Sequence, residues 1–169
     1  MECLFRCNYV AVVRYVRSRI PAEATDDVVA ETFVVAWRRL DAVPEEPLPW
    51  LLGVARNVIA TQRRGARRRT ALSSRIQDAA GHNAQEVEEL GAVAAALASL
   101  PEKDREALTL TAWDGLTPRD AAVVLGTSAG AFRVRLHRAK KRLRAALEAN
   151  ADSQTISTAL RLKAKERTS

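Results

Sequence analysis

Cysteine, histidine, glycine and aromatic residues are all scarce in this 169-residue sequence, and each scarcity closes off a class of function. Two cysteines, Cys3 and Cys7, and two isolated histidines, His82 and His137, supply no second ligand pair at zinc-finger spacing. Four residues apart, the cysteines would share one face of a helix. In a reducing compartment they read as two small, half-buried apolar residues rather than as a metal pair or thiol switch. There is no Gly-rich phosphate loop and no GxSxG turn, and histidine is too rare for most general-base constellations. The expectation is a protein that is not an enzyme and has no metal or cofactor. Seven glycines and six prolines beside 47% hydrophobic residues exclude disordered and collagen-like compositions. No apolar run approaches the roughly 18 residues that span a bilayer. Glu2, Arg6 and Asn8 interrupt any apolar core of a secretory signal, so a cytoplasmic protein without membrane insertion is expected. Acidic residues are the last shortage, 20 against 27 Lys and Arg, for a net charge of +7 and a pI near 10.1. A polyanion is the leading partner.

What is present is helical. No stretch alternates apolar and polar residues long enough to argue for a strand. Leu4 to Arg19 carries Val10, Val13 and Val16 at helical spacing and stops at Pro21. Thr25 reads as an N-cap, followed by Asp26 and Asp27 where the helix dipole favours negative charge. The next helix places Val29, Phe33, Trp37 and Leu40 on one face. Pro44, Pro47 and Pro49 stiffen a loop, and Pro49 is suited to open a third helix. In that helix Leu51, Val54, Ala55, Val58 and Ile59 follow the pattern of a buried stripe. The order then lapses into a Ser-, Ala-, Gly- and Gln-rich linker, and a second set of helices begins near Glu86. The fold class is all-α: two small helical domains joined by a flexible linker. The boundaries are 1–69, linker 70–85, 86–149 and a C-terminal tail 150–169.

The second domain contains the sharper signal. Thr117 can cap a short helix from Pro118 to Leu125, Gly126 supplies a turn, and Thr127 or Ser128 can cap a long helix to about Leu147. That is the layout of a helix-turn-helix. Its second helix carries Arg133, Arg135, Arg138, Lys140, Lys141, Arg142 and Arg144 with no acidic residue before Glu148. A second basic run ends the first domain. There Asn57, Thr61, Arg64 and Arg68 fall on one stripe, with Arg56, Arg63 and Arg67 beside it. Two helical domains, each with its own basic helix, point to two contacts with one nucleic acid. Arginines would hold phosphate while small or polar residues near the helix N-terminal ends approach base edges.

These residues resemble the bacterial RNA polymerase sigma factors of the sigma-70 superfamily, extracytoplasmic-function type. Three motifs carry the resemblance. Thr25-Asp26-Asp27-Val28-Val29-Ala30-Glu31-Thr32-Phe33, followed by Trp37, is similar to the polymerase-binding helix of region two. Trp50 to Asn57 with the arginine run is similar to the part of that region that melts and reads the −10 element. Leu100-Pro101, Arg105-Glu106 and Gly115 to Ala139 resemble region four, which reads the −35 element.

The resemblance implies an alternative sigma factor whose partners are core RNA polymerase, promoter DNA and an anti-sigma factor. It assigns polymerase binding to Asp27, Val28, Ala30, Glu31, Val34 and Val35, with Phe33 and Trp37 in the core. It assigns −10 recognition to Trp50, Arg56, Asn57, Thr61, Arg64 and Arg68, and −35 recognition to Ser128, Ala131, Arg133, Arg135, Arg138 and Lys141. For Trp50 the core and DNA-side readings both stand. The loop Asp41 to Pro49 matches the family segment that captures a flipped base. Asp78, Glu86, Glu88 and Glu89 make the linker acidic, and the resemblance sends it into the basic cleft of polymerase. The chain departs from the family pattern at Ala30, Thr61, Ala131 and Val134, where Gln, Asp, Thr and Ser are usual or common. The rival reading is a stand-alone helix-turn-helix regulator.

Overall fold

The computed structural model describes residues 2–72 and 91–166. Among them lie seven α-helices and no strand: α1 (Glu2–Arg17), α2 (Thr25–Arg38), α3 (Pro47–Leu72), α4 (Gly91–Ser99), α5 (Glu102–Ala112), α6 (Pro118–Leu125) and α7 (Ala129–Glu166). Short 3-10 turns, Ala22–Ala24 and Leu40–Ala42, lead into α2 and out of it. The chain forms two compact units, Met1–His82 with Leu116–Ala131, and Asn83–Gly115 with Phe132–Ser169. The first gathers α1, α2, α3 and α6, and the division falls inside α7. Most of the expected linker and its acidic residues lie outside the described residues.

The first unit is built on α3. Leu51, Leu52, Ala55, Val58 and Ile59 are buried at the expected spacing. Val54 is half-buried at the edge of that stripe. α1 contributes Val12, Tyr15 and Val16 together with Asn8, while Val10, expected on that stripe, faces solvent. Asn8 can stay inside because its amide donates to the Leu4 carbonyl (2.8 Å). The rings of Phe5 and Phe33 (centroids 4.8 Å apart) tie α1 to α2.

The buried face of α2 is rotated from the expected one. It runs through Thr25, Val28, Val29, Thr32, Phe33 and Ala36. Thr32 donates to the Val28 carbonyl at 2.7 Å, and Thr25 donates to the Pro21 carbonyl at 3.4 Å. Each threonine thus meets its own polar need along the helix and can occupy a core position. Thr25 is consequently the first residue of α2 rather than its side-chain cap, because the turn Ala22–Ala24 runs straight into the helix. The same rotation carries Trp37 out of the core, where it is 63% exposed.

α3 opens at Pro47, not Pro49, so the expected loop is shorter than Asp41 to Pro49. Both prolines sit in the first turn, where a missing N–H costs nothing. α6 packs across α3 within the same unit. Its buried face is Ala121, Ala122 and Val124, and Gly53 of α3 meets it: a Cβ there would lie 3.5 Å from the Val124 carbonyl oxygen. Packing therefore groups α6 with α3, a different division from the one by chain order.

In the second unit Ala96, Leu100, Ala107, Leu108, Leu110, Phe132, Leu136 and Ala139 are buried. Arg105 donates to the Ala98 and Leu100 carbonyls (both 3.1 Å), closing the C-terminal end of α4. Asp104, 6% exposed, pairs with Arg142 of α7.

Candidate nucleic-acid interface

The outward stripe of α3 is as the helical period requires. Trp50 is half-buried, and Asn57, Thr61 and Arg64 are exposed and fall on one side at about 3.6 residues per turn. Thr61 donates to the backbone carbonyl of Asn57 (2.9 Å), and Arg64 donates to the Thr61 hydroxyl (3.0 Å). The guanidinium and the Thr61 hydroxyl are thereby held on the surface as one polar group. Arg56 is half-buried beside the stripe. The side chain of Arg68 lies outside the described residues.

The helix, turn and helix around Gly126 are made by local chemistry. The Thr117 hydroxyl accepts from the Asp120 N–H (3.2 Å) and donates to the Asp120 carboxylate (2.6 Å), and Pro118 follows at the first helical position. At the other end Thr127 N–H bonds the Ala122 carbonyl (3.0 Å) and Gly126 N–H bonds that of Val123 (3.1 Å). This Schellman closure needs a left-handed residue, and Gly126 supplies it with φ +61. Of the two capping candidates it is Ser128 that caps α7, accepting from the Ala131 N–H (3.2 Å). Beyond it Ala131, Arg133, Arg138 and Lys141 are exposed and Arg135 is half-buried. α7 runs on to Glu166, past the expected end near Leu147.

The outward face of α2 bears Asp27, Ala30, Glu31 and Val34, all exposed, with Val35 half-buried at its edge. Val28 does not belong to it. That side chain is 0% exposed, on the threonine-containing inner stripe. Trp37, Arg38 and Leu40 extend the exposed surface at the C-terminal end.

Comparison with known proteins gives this surface its context. Residues 4–69 match Sigma-70 region 2, and residues 90–143 match Sigma-70, region 4. The RNA polymerase sigma factor CnrH of Cupriavidus metallidurans is 34% identical over 160 residues, covering 85% of this chain and 84% of that one. The chain belongs to the sigma-70 family, extracytoplasmic-function type. Among solved structures, CnrH in complex with the cytosolic domain of CnrY shares 34% identity at a TM-score of 0.62, covering 88% of this chain and 87% of that one. The sigma factor RpoE of Bartonella quintana, crystallised with the anti-sigma factor NepR, shares 26% identity at a TM-score of 0.62, covering 87% and 96%.

This sigma factor is accordingly an alternative sigma factor that directs transcription, with region 2 and region 4 domains that bind core RNA polymerase and DNA. Two arginines of its basic runs have work inside the protein, which the sequence reading missed. Arg63 donates to the Arg19 carbonyl (2.7 Å), fastening α3 to the end of α1. Arg142 is held by Asp104. The sequence offers a cue only for the second, since Asp104 is an acid on an otherwise apolar side of α5. Cys7 is exposed on α1 rather than half-buried, and the Cys3 side chain lies outside the described residues. Among the described residues no helix is long and apolar enough to cross a membrane, and no cluster of His, Cys, Asp and Glu could hold a metal.

Proposed function

We propose that the sigma factor reads the two halves of its promoters with the two outward stripes described above. Trp50, Asn57, Thr61 and Arg64 of α3, with Arg56 and Arg68 beside or beyond them, take the −10 element. Ser128, Ala131, Arg133, Arg135, Arg138 and Lys141 of α7 take the −35 element. Asp27, Ala30, Glu31, Val34 and Val35 of α2 meet core polymerase. The functional domains are 1–69 and 86–149, with 70–85 as the tether and 150–169 as a tail. The protein works in the cytoplasm, where polymerase is, and performs no catalysis of its own. An anti-sigma factor is a further partner, since the relatives CnrH and RpoE were solved with such proteins or with a cytosolic partner domain.

One observation carries the reading. Asn57 and the hydrogen-bonded pair Thr61 and Arg64 form an outward-facing polar stripe on α3, distinct from the basic stripe of α7. A stand-alone helix-turn-helix regulator has no use for a second reading surface. Purified chain is added to core polymerase on a promoter mapped after overproduction of the protein. A stable complex and initiation that falls with Asn57→Ala and with Arg138→Ala is expected. Tight binding to duplex DNA without polymerase, indifferent to Asn57→Ala, would instead identify the regulator.

A further inference from the structure

Val134 stands at the centre of the outward face of α7. The buried residues Phe132, Leu136 and Ala139 mark the inward side of that helix. At about 3.6 residues per turn, Val134 and Lys141 lie opposite them, two turns apart. Val134 is 52% exposed, and the exposed residues on its side of the helix include Arg133, His137, Arg138 and Lys141. A single exposed apolar side chain needs no explanation. Its place here does. On a merely solvated basic helix the outermost position would suit Lys or Arg, which also favour the helix more than a β-branched residue does.

The chemistry of the major groove limits what a valine can do there. It has no hydrogen bond to offer a phosphate or a base edge. The one apolar group on the base edges of that groove is the C5-methyl of thymine. Arg138 and Lys141, one and two turns further along the same face, are suited to hold the helix in register through phosphates or guanine. Ala131, three residues earlier and exposed, is small enough to let the backbone come close. We propose that Val134 is a specificity-determining residue that reads the C5-methyl of a thymine in the upstream promoter element. The inference rests on the assignment of α7 to that element.

The test uses the full chain bound to bacterial core RNA polymerase. Duplexes with a randomised upstream segment are selected for binding, and each thymine of the selected sequence is then replaced singly by deoxyuridine, which removes only the methyl group. One position is expected to lose about 3- to 5-fold in affinity at constant salt, as for one methyl group returned to water. Val134→Ala and Val134→Ser should bind the thymine and deoxyuridine duplexes equally at that position while keeping the parent response elsewhere. Deoxyuridine tolerated at every position, a selected motif without thymine, or an unchanged thymine preference in Val134→Ala overturns the proposal alone. Selection that enriches no upstream motif overturns the assignment of α7 and the proposal with it.

Discussion

α3 and α7 are both long, basic and exposed, yet they turn different chemistry outward. α3 presents an amide at Asn57 beside a hydroxyl and a guanidinium that are hydrogen-bonded to each other at Thr61 and Arg64. α7 presents Val134 among His137, Arg138 and Lys141. Neighbouring polar side chains of this kind suit unpaired base edges, whose hydrogen-bonding groups are free. An apolar centre ringed by cations suits a paired duplex, with phosphates at the rim and methyl groups in the groove. The helices agree in one respect: each turns arginine back to the protein, as Arg63 to the Arg19 carbonyl and Arg142 to Asp104. Counting positive charge therefore overstates the contact with DNA on both.

The comparison is broken most severely from within α7. Phe132 is 0% exposed and Val134, two residues on, is 52% exposed. Phe132→Ala should cost about 3–5 kcal/mol by opening a cavity, read as a lower denaturant midpoint. Val134→Ala should leave that midpoint in place. Equal loss in the two variants would mean that the outward face is assigned wrongly. Next comes Arg142. Arg142→Leu leaves the buried Asp104 carboxylate without its partner and should cost about 1–3 kcal/mol. Lys141→Ala, one residue earlier, should leave stability alone and reduce the salt slope of DNA binding by about 1. A Lys141→Ala protein with an unchanged salt slope would remove that residue from the phosphate contacts.

On α3 the corresponding pair is Arg63 and Arg64. Arg63→Ala removes a hydrogen bond between residues 44 positions apart in the sequence and should cost roughly 0.5–1.5 kcal/mol in thermal unfolding. Arg64→Ala removes an exposed bond to a hydroxyl three residues away on the same helix, so its larger effect should appear in promoter melting rather than in stability. The reverse pattern would exchange the roles of the two arginines.

How much of this was legible in the sequence depended on the distance over which each feature is made. The turn at Gly126 is built from Thr117, Pro118, Gly126 and Ser128 acting on backbone within a few residues, and it lies where the sequence puts it. The stripe of Asn57, Thr61 and Arg64 is likewise a matter of helical period. The inner face of α2 was misread because it contains threonines. A pattern of apolar letters chose Val29, Phe33, Trp37 and Leu40, whereas Thr25 and Thr32 satisfy their hydroxyls along the helix and take the core positions. That single rotation accounts for both Trp37, expected inside and found outside, and Val28, expected outside and found inside. Asn8 misled the reading of α1 in the same way. The ties of Arg63 and Arg142 join elements 44 and 38 residues apart. No local pattern announces the first, and only the acid Asp104 on an apolar side of α5 hints at the second.

The smallest expected effects are those of a single methyl group added at a glycine of α3 or of α7. A Cβ at Gly130, in the first turn of α7, would meet nothing within 4 Å. A Cβ at Gly53 of α3 would meet the Val124 carbonyl oxygen at 3.5 Å and its Cα at 3.6 Å, both on the backbone of α6. These are ordinary contacts, so one methyl group fits in either place. Gly53→Ala and Gly130→Ala should each stabilise, by at most about 0.5–1 kcal/mol, because alanine gives up less conformational freedom in a helix. Larger side chains should then divide the two positions. At Gly130 leucine has open space, and the gain should persist. At Gly53 the atoms beyond Cβ would have to enter backbone that cannot fold aside as a flexible side chain can, so Gly53→Leu should reverse the sign and release α6 from α3. Calorimetry on the four variants reads the signs, and solution scattering reads whether the Gly53→Leu chain expands. A Gly53→Leu protein as stable and compact as the alanine variant would show that α6 does not rest on α3 in solution.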